Sequence, residues 1–148
     1  MGVLQGILLV DSHRVFRRTV RETIARRCPG IPVTEALSGE DAIRKVKRHR
    51  PGLIITDIDI RGRRVLGLLQ RIREIQPEST IAVLTSYDLP EYREAALASG
   101  ADLFFSKSAS SGRTIEKIIE AELSKPGDHP KKGKEISYDL TGTIPKNG

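Results

Sequence analysis

The chain has 148 residues, 38% of them hydrophobic, which is enough apolar material for the core of one domain. Its single cysteine, Cys28, excludes an internal disulfide framework and a multi-cysteine metal site, and no apolar run is long enough to span a membrane, so we expect a cytoplasmic protein without a membrane partner. The formal net charge is +6, and basic residues cluster at 14–27 and 44–50. Both clusters follow a helical pattern and lack the interleaved aromatic residues that stack on bases. They therefore favour solvated helix faces over direct nucleic-acid binding.

Strand and helix patterns alternate along the first half of the chain. Residues 6–10 are a continuous apolar run typical of a buried strand, and apolar residues at helical spacing then predict a helix that ends at the Pro–Gly pair 29–30. Residues 31–37 predict a weaker strand. Ser38 and the three residues after it resemble a capping box that opens a second helix, and the isoleucine-rich run 53–57 predicts the third strand.

The same alternation continues through the second half. Apolar residues recur at helical spacing over 65–75, and residues 80–85 predict a fourth strand. Asp88 as the cap and Pro90 as an early proline predict the start of a helix that ends at Gly100.

The last repeat completes the predicted fold. Residues 103–105 predict a fifth strand, and Ser110 or Ser111 is the expected cap of a final helix. Five strand–helix repeats predict an α/β fold with a doubly wound parallel sheet over residues 1–124. Residues 125–148 contain prolines, glycines and lysines without periodicity, so we expect a flexible tail or linker and recognise no output domain there.

Polar side chains follow four of the predicted strands. Asp11 ends the first strand, Asp57 and Asp59 follow the third, Thr85 ends the fourth and Lys107 follows the fifth. Because ligand sites of such sheets lie beyond the carboxyl ends of the strands, we expect these side chains to meet at one edge. Each residue alone would more simply be a surface or capping residue, and the set carries the prediction.

At this point the sequence resembles the receiver domain of two-component response regulators. The stretches that carry the resemblance are 7–11, 35–42, 53–62, 85–86 and 99–107, in that order. The resemblance implies a flavodoxin-like fold, with a five-stranded parallel sheet flanked by five helices.

The resemblance also implies a role for each strand-end residue. The acid in the place of Asp57 accepts a phosphoryl group, and the hydroxyl and ammonium in the places of Thr85 and Lys107 contact the phosphoryl oxygens. The aromatic residue in the place of Phe104 changes rotamer when the site is occupied, although such a phenylalanine, taken alone, is most often a plain core residue. Asp11 matches the first acid of the pair that binds Mg²⁺, the expected cofactor.

The metal site departs from the family pattern. The second acid of the pair is Ser12 here, a neutral and weaker ligand for a hard cation, which puts Mg²⁺ affinity in doubt. The remaining expected ligands are Asp11, Asp57 and the backbone carbonyl of Asp59. We hypothesise that the Asp59 side chain replaces the negative charge lost at Ser12; the alternative is a solvated turn residue.

The histidines bear on the partners. His13, His49 and His129 are dispersed along the sequence, which argues against a histidine metal site and against a phosphoryl donor within the chain. We therefore expect a sensor histidine kinase or phosphotransfer protein as donor, and a downstream protein target or output domain as receiver of the signal. The chain itself is expected to be a phosphorylation-dependent switch and not an enzyme.

Two other functions remain open at this stage. The main alternative is a pseudo-receiver, a protein-interaction module whose weakened metal site no longer supports phosphorylation. A remoter one is a nucleic-acid adaptor that uses the basic faces of residues 14–27 and 44–50. The oligomeric state, including a homodimer, is also left open.

Overall fold

The computed structural model describes residues 5–60, 63–64, 66–107 and 111–124, without the side chains of residues 63, 64 and 111. The strands and helices in chain order are β1 (Ile7–Val10), α1 (Arg14–Arg27), β2 (Val33–Ala36), α2 (Gly39–His49), β3 (Leu53–Thr56), β4 (Asp59–Ile60), β5 (Arg63–Arg64), α3 (Leu66–Ile75), β6 (Thr80–Thr85), α4 (Pro90–Ala98), β7 (Leu103–Ser106) and α5 (Ser111–Leu123). Within these ranges, every helix is too short or too polar to cross a membrane.

Five of the strands form one parallel sheet in the order β2-β1-β3-β6-β7. This confirms the predicted doubly wound α/β fold. The register places Val10 opposite both Ala36 and Thr56, and Thr85 opposite Ser106. The carboxyl ends of four neighbouring strands therefore lie side by side, as the positions of the polar residues require.

The sheet separates two hydrophobic cores. Leu8 and Val10 of β1 face the core covered by α2, α3 and α4, whereas Ile7 and Leu9 face the core covered by α1 and α5. Alternate residues of a strand point to opposite faces, so a strand covered on both sides must be apolar throughout. This requirement explains the uninterrupted apolar runs of the sequence.

The helix caps agree only in part with the predictions. The Ser38 hydroxyl accepts a hydrogen bond from the backbone N–H of Asp41 (3.1 Å), as expected of a capping residue. The prediction that Asp88 caps α4 is wrong, because Leu89 occupies the cap position and makes no side-chain cap bond. Ser111 is the first residue of α5, so it is not the cap, and Ser110 lies outside the described residues.

A short antiparallel pair was not predicted. Asp59 pairs with Arg64 and Ile60 with Arg63, which makes β4 and β5 a two-stranded ladder directly after β3. Strands of two residues have no detectable alternation, so the pattern of the sequence could not reveal them. Residues 125–148, predicted as a tail or linker, lie outside the described residues.

Asp41 in the first turn of α2 gives a pH-dependent contribution to stability. Burial raises the pKa of Asp41, but hydrogen bonds and charges from Lys45 and Arg44 outweigh it and hold the pKa below its ordinary value of 3.8. Because the folded pKa is the lower one, the stabilisation is present above the unfolded pKa and is lost as the pH falls through the folded pKa.

We therefore expect Asp41→Asn to reduce the free energy of unfolding by up to about 1 kcal/mol at neutral pH, with the difference shrinking below about pH 4. Urea unfolding across a pH series measures it. Glu40→Gln, at an exposed position of the same turn, is the control and should not change the acid limb. A difference between Asp41→Asn and wild type that stays constant down to acidic pH would contradict the assignment.

Candidate functional site

Backbone hydrogen bonds place the strand-end residues at one edge of the sheet. The N–H of Asp57 donates to the carbonyl of Val10 (3.1 Å), and the N–H of Lys107 donates to the carbonyl of Thr85 (2.8 Å). The N–H of Asp11 donates to the carbonyl of Ala36 (3.3 Å). The parallel ladder thus continues one residue beyond each strand, and it holds the backbones of these residues in place.

The Lys107 ammonium lies between the two buried acids. Its Nζ is 2.8 Å from Oδ2 of Asp11 and 2.9 Å from Oδ2 of Asp57. The side chains are only 9%, 7% and 4% exposed for Lys107, Asp11 and Asp57, respectively. Because water screens such a site weakly, each charge depends on the others for compensation.

Two neighbours complete the surroundings of the ammonium. Nζ of Lys107 lies 4.3 Å from the centroid of the Phe16 ring, an arrangement in which the ring face attracts a cation. It also lies 3.5 Å from Nδ1 of His13. Residues at the start of α1 therefore help to hold the end of the Lys107 side chain.

His13 belongs to this site, a placement that the sequence analysis did not predict. Its backbone N–H donates to Oδ1 of Asp11 (2.8 Å), and its ring Nδ1 lies 3.2 Å from the same oxygen. His13 is the N-cap residue of α1. The position of His13, two residues after a strand-end acid, was the available sequence signal.

Among the described residues, three metal-ligating side chains converge. They are Asp11, His13 and Asp57, whose ligand atoms all lie within 4.8 Å of one another. The side chain of Asp59 is not part of this group, and its backbone N–H donates to Oδ1 of Asp57 (3.1 Å). The proposed roles of Asp59 and Ser12 toward a metal ion stay predictions.

Thr85 and Phe104 occupy the two strands next to this group. Thr85 is fully buried, and its hydroxyl oxygen accepts a hydrogen bond from the N–H of Tyr87 (3.2 Å). Phe104 is buried in the core that α2, α3 and α4 cover, and the Arg93 guanidinium lies 5.9 Å from its ring centroid. Phe104 is thus a packed core residue in this structure, and its switching role stays a prediction.

An arginine on α1 supports the acid at the end of β1. Arg17 donates from Nη1 to the backbone carbonyl of Asp11 (2.8 Å) and from Nε to Oε1 of Glu35 (2.7 Å). Arg21 donates to the other oxygen of Glu35 (2.8 Å). The sequence pattern placed these arginines on a solvated face, whereas Arg17 is largely buried and ties α1 to β1 and β2.

The arrangement favours two kinds of chemistry. Two buried carboxylates with one ammonium keep a negative charge that a divalent cation can neutralise, and carboxylate oxygens are suitable ligands for a hard cation. The ammonium and the Thr85 hydroxyl are suitable hydrogen-bond donors for the oxygens of an anionic group. A carboxylate between a cation site and such donors can accept a phosphoryl group.

Comparison with known proteins adds evidence of ancestry. The family model described as response regulator receiver domain matches residues 7–119. The transcriptional activator protein ExaE of Pseudomonas putida is 34% identical over 113 residues, which cover 76% of this chain and 53% of that protein. The chain thus spans about half the length of this curated relative.

Solved structures share the fold. A two-component response regulator from Clostridium difficile superposes with a TM-score of 0.74 at 21% identity, covering 82% of this chain and 97% of that one. A response regulator protein from Burkholderia pseudomallei, described with a phosphorylated aspartic acid, calcium ion and citrate, gives a TM-score of 0.68 at 25% identity, covering 82% and 75%.

Proposed function

The chain belongs to the response regulator receiver domains of two-component systems, and we propose that it is a switch in which Asp57 accepts a phosphoryl group. The observation that carries the proposal is the Lys107 ammonium held between Asp11 and Asp57 in a buried site. Burying a carboxylate and its cation together costs desolvation free energy. A phosphoryl-transfer site uses both groups, because the carboxylate accepts the phosphoryl group and the cation offsets its negative charge.

Phosphoryl transfer would use the geometry of Asp57 directly. One of its carboxylate oxygens attacks the phosphorus, the P–N bond to the donor's imidazole breaks, and that ring recovers a proton. Backbone N–H of Asp59 and the ammonium of Lys107 hold the Asp57 side chain in one orientation. Transfer brings an anionic donor toward a carboxylate, so the ammonium lowers the repulsion as the two approach.

The donor set of the site fits a divalent cation such as Mg²⁺. Asp11 and Asp57 supply two buried carboxylates within one ligand group, and they would hold the ion. When bound, it supplies positive charge against the phosphoryl oxygens. Because Ser12 stands in place of a second acid, this chain has one carboxylate fewer with which to hold the ion.

The change of state would start at Thr85 and Phe104. The hydroxyl of Thr85 accepts a bond from Tyr87 N–H and keeps its own hydrogen to donate to a phosphoryl oxygen. Movement of Thr85 toward that oxygen changes the packing around Phe104, which lies on the neighbouring strand. The altered surface of β7 and its flanking helices is then the signal.

The partners follow from the proposed chemistry. The donor is a sensor histidine kinase or phosphotransfer protein, and the signal passes to a downstream protein target or output domain. ExaE is named as a transcriptional activator protein, which supports an output in gene regulation. Residues 1–124 form the receiver unit in this proposal, and residues 125–148 are a tail or linker.

Asp57→Asn tests the proposal. We expect wild type with acetyl phosphate and Mg²⁺ to gain one phosphoryl group by intact-mass spectrometry, and Asp57→Asn to gain none because an amide oxygen does not attack phosphorus. Asp88→Asn, the same change at an exposed position before α4, is the matched control and should take up the phosphoryl group as wild type does.

Amide NMR with beryllium fluoride, a phosphoryl mimic, measures the switch separately. We expect shifts at Thr85, Phe104 and Lys107 in wild type and none in Asp57→Asn. Wild type that takes up no phosphoryl group and shows no shifts would overturn the proposal.

A further inference from the structure

We propose that the His13 imidazole is a nitrogen ligand of the metal site, so that this chain prefers a first-row transition-metal ion to Mg²⁺. The inference rests on the metal site of the proposed function and deepens it. Imidazole is a good ligand for nickel, zinc and copper ions, whereas Mg²⁺ takes oxygen ligands. One residue would thus change the metal that the site selects.

The positions of the ligand atoms are the first observation. Nδ1 of His13 and carboxylate oxygens of Asp11 and Asp57 all lie within 4.8 Å of one another. One ion with metal–ligand bonds of about 2.1 Å can bridge such a group after small side-chain rotations. The His13 side chain is 67% exposed, so its ring has room to rotate toward the acids.

The Lys107 ammonium is the second observation. Its Nζ lies 2.8 Å from Asp11, 2.9 Å from Asp57 and 3.5 Å from Nδ1 of His13. These three groups already surround a positive charge. A metal ion that takes its place would meet two carboxylates and one ring nitrogen as neighbours.

The backbone fixes where the imidazole starts. His13 is the N-cap residue of α1, with an extended backbone, and its N–H donates to Oδ1 of Asp11 (2.8 Å). This bond ties the loop to one of the metal-binding acids. Ser12 brings no charge to the site, so the imidazole is the strongest additional donor on this loop.

Isothermal titration calorimetry with Ni²⁺ and with Mg²⁺ tests the proposal on the untagged chain. We expect His13→Asn to weaken Ni²⁺ binding about tenfold or more and Mg²⁺ binding by less than about twofold. Asn is also a favourable N-cap residue, so α1 keeps its start. His49→Asn, at an exposed position at the end of α2, is the matched control and should change neither affinity.

Pulsed electron paramagnetic resonance on bound Cu²⁺, an ion that imidazole suits, gives a second readout. Nitrogen hyperfine coupling from an imidazole should be present in wild type and absent in His13→Asn. The proposal is overturned if His13→Asn weakens Ni²⁺ and Mg²⁺ equally, leaves Ni²⁺ binding unchanged, or keeps the nitrogen coupling.

The failure of this inference can be told apart from failure of the proposed function. Uptake of a phosphoryl group from acetyl phosphate with Mg²⁺ depends on Asp57 and is measured on the same variants. Phosphorylated wild type with no nitrogen coupling overturns the His13 role alone. A loss of Ni²⁺ affinity in His13→Asn with Mg²⁺ affinity retained supports the His13 role even where Asp57 takes up no phosphoryl group.

Discussion

Arg73→Met is expected to reduce the free energy of unfolding by about 3 kcal/mol, a large part of the stability of a domain of this size. Arg73 lies in α3, and its guanidinium donates to four acceptors that other segments provide. They are the carbonyls of Pro77 (2.9 Å), Ser79 (2.5 Å) and Gly100 (2.6 Å), and Oδ2 of Asp102 (2.7 Å). Urea unfolding at neutral pH measures the loss.

The size of the effect follows from what the substitution leaves behind. Asp102 is 7% exposed, and its Oδ2 also accepts a hydrogen bond from the N–H of Ile81 (2.9 Å). Without Arg73, the buried carboxylate of Asp102 and three backbone carbonyls lose their charged hydrogen-bond donor. A buried acceptor that is left without a donor reduces the free energy of unfolding. The arginine also joins α3 to the segment before β6 and to the segment before β7, and the latter lies up to 29 residues away in the sequence.

Two variants show whether the cluster is the cause. Arg71→Met removes an exposed arginine of the same helix and should change the free energy of unfolding by less than about 0.5 kcal/mol. Asp102→Asn combined with Arg73→Met should cost less than the sum of the single changes, because both break one interaction. Arg73→Met with near wild-type stability would contradict this account.

The fold could be predicted from the sequence because the same residues serve local and tertiary structure. A parallel strand covered by helices on both faces must be apolar from end to end, and residues 80–85 show this directly. The polar residue after each strand then lies at the sheet edge. Asp11, Asp57 and Lys107 were placed together for this reason alone.

Contacts of side chains with distant segments could not be predicted in the same way. His13 and Lys107 are 94 residues apart, and only the closed sheet brings Nδ1 and Nζ within 3.5 Å. In the sequence, nothing distinguishes Arg73 from the other arginines on predicted helices, although its acceptors lie up to 29 residues away. The spacing of residues in the sequence does not reveal side-chain contacts between such distant residues.

The start of α4 shows a limit within a single element. Asp88 and Pro90 both favour a helix start, but they fit different positions. Pro90 lies in the first turn, so Leu89 takes the cap position and Asp88 lies one residue too early. Local preference predicted the element and missed its cap by one residue.

Lys107→Met is expected to reduce the free energy of unfolding by about 3 kcal/mol without divalent ions, because it leaves the carboxylates of Asp11 and Asp57 buried without their cation. Removal of one surplus charge should relieve this loss, so Asp57→Asn in the Lys107→Met background should restore part of the stability. Lys117→Met, at an exposed position of α5, is the control and should be close to neutral.

Mg²⁺ should stabilise Lys107→Met more than it stabilises wild type. In wild type the ion competes with the ammonium for the same carboxylates, whereas in the variant it meets two uncompensated acids. Urea unfolding with EDTA and then with millimolar Mg²⁺ measures both responses. Equal stabilisation of the two proteins would mean that the ion and the ammonium do not bind the same acids. That result would contradict the assignment of Asp11 and Asp57 as metal ligands.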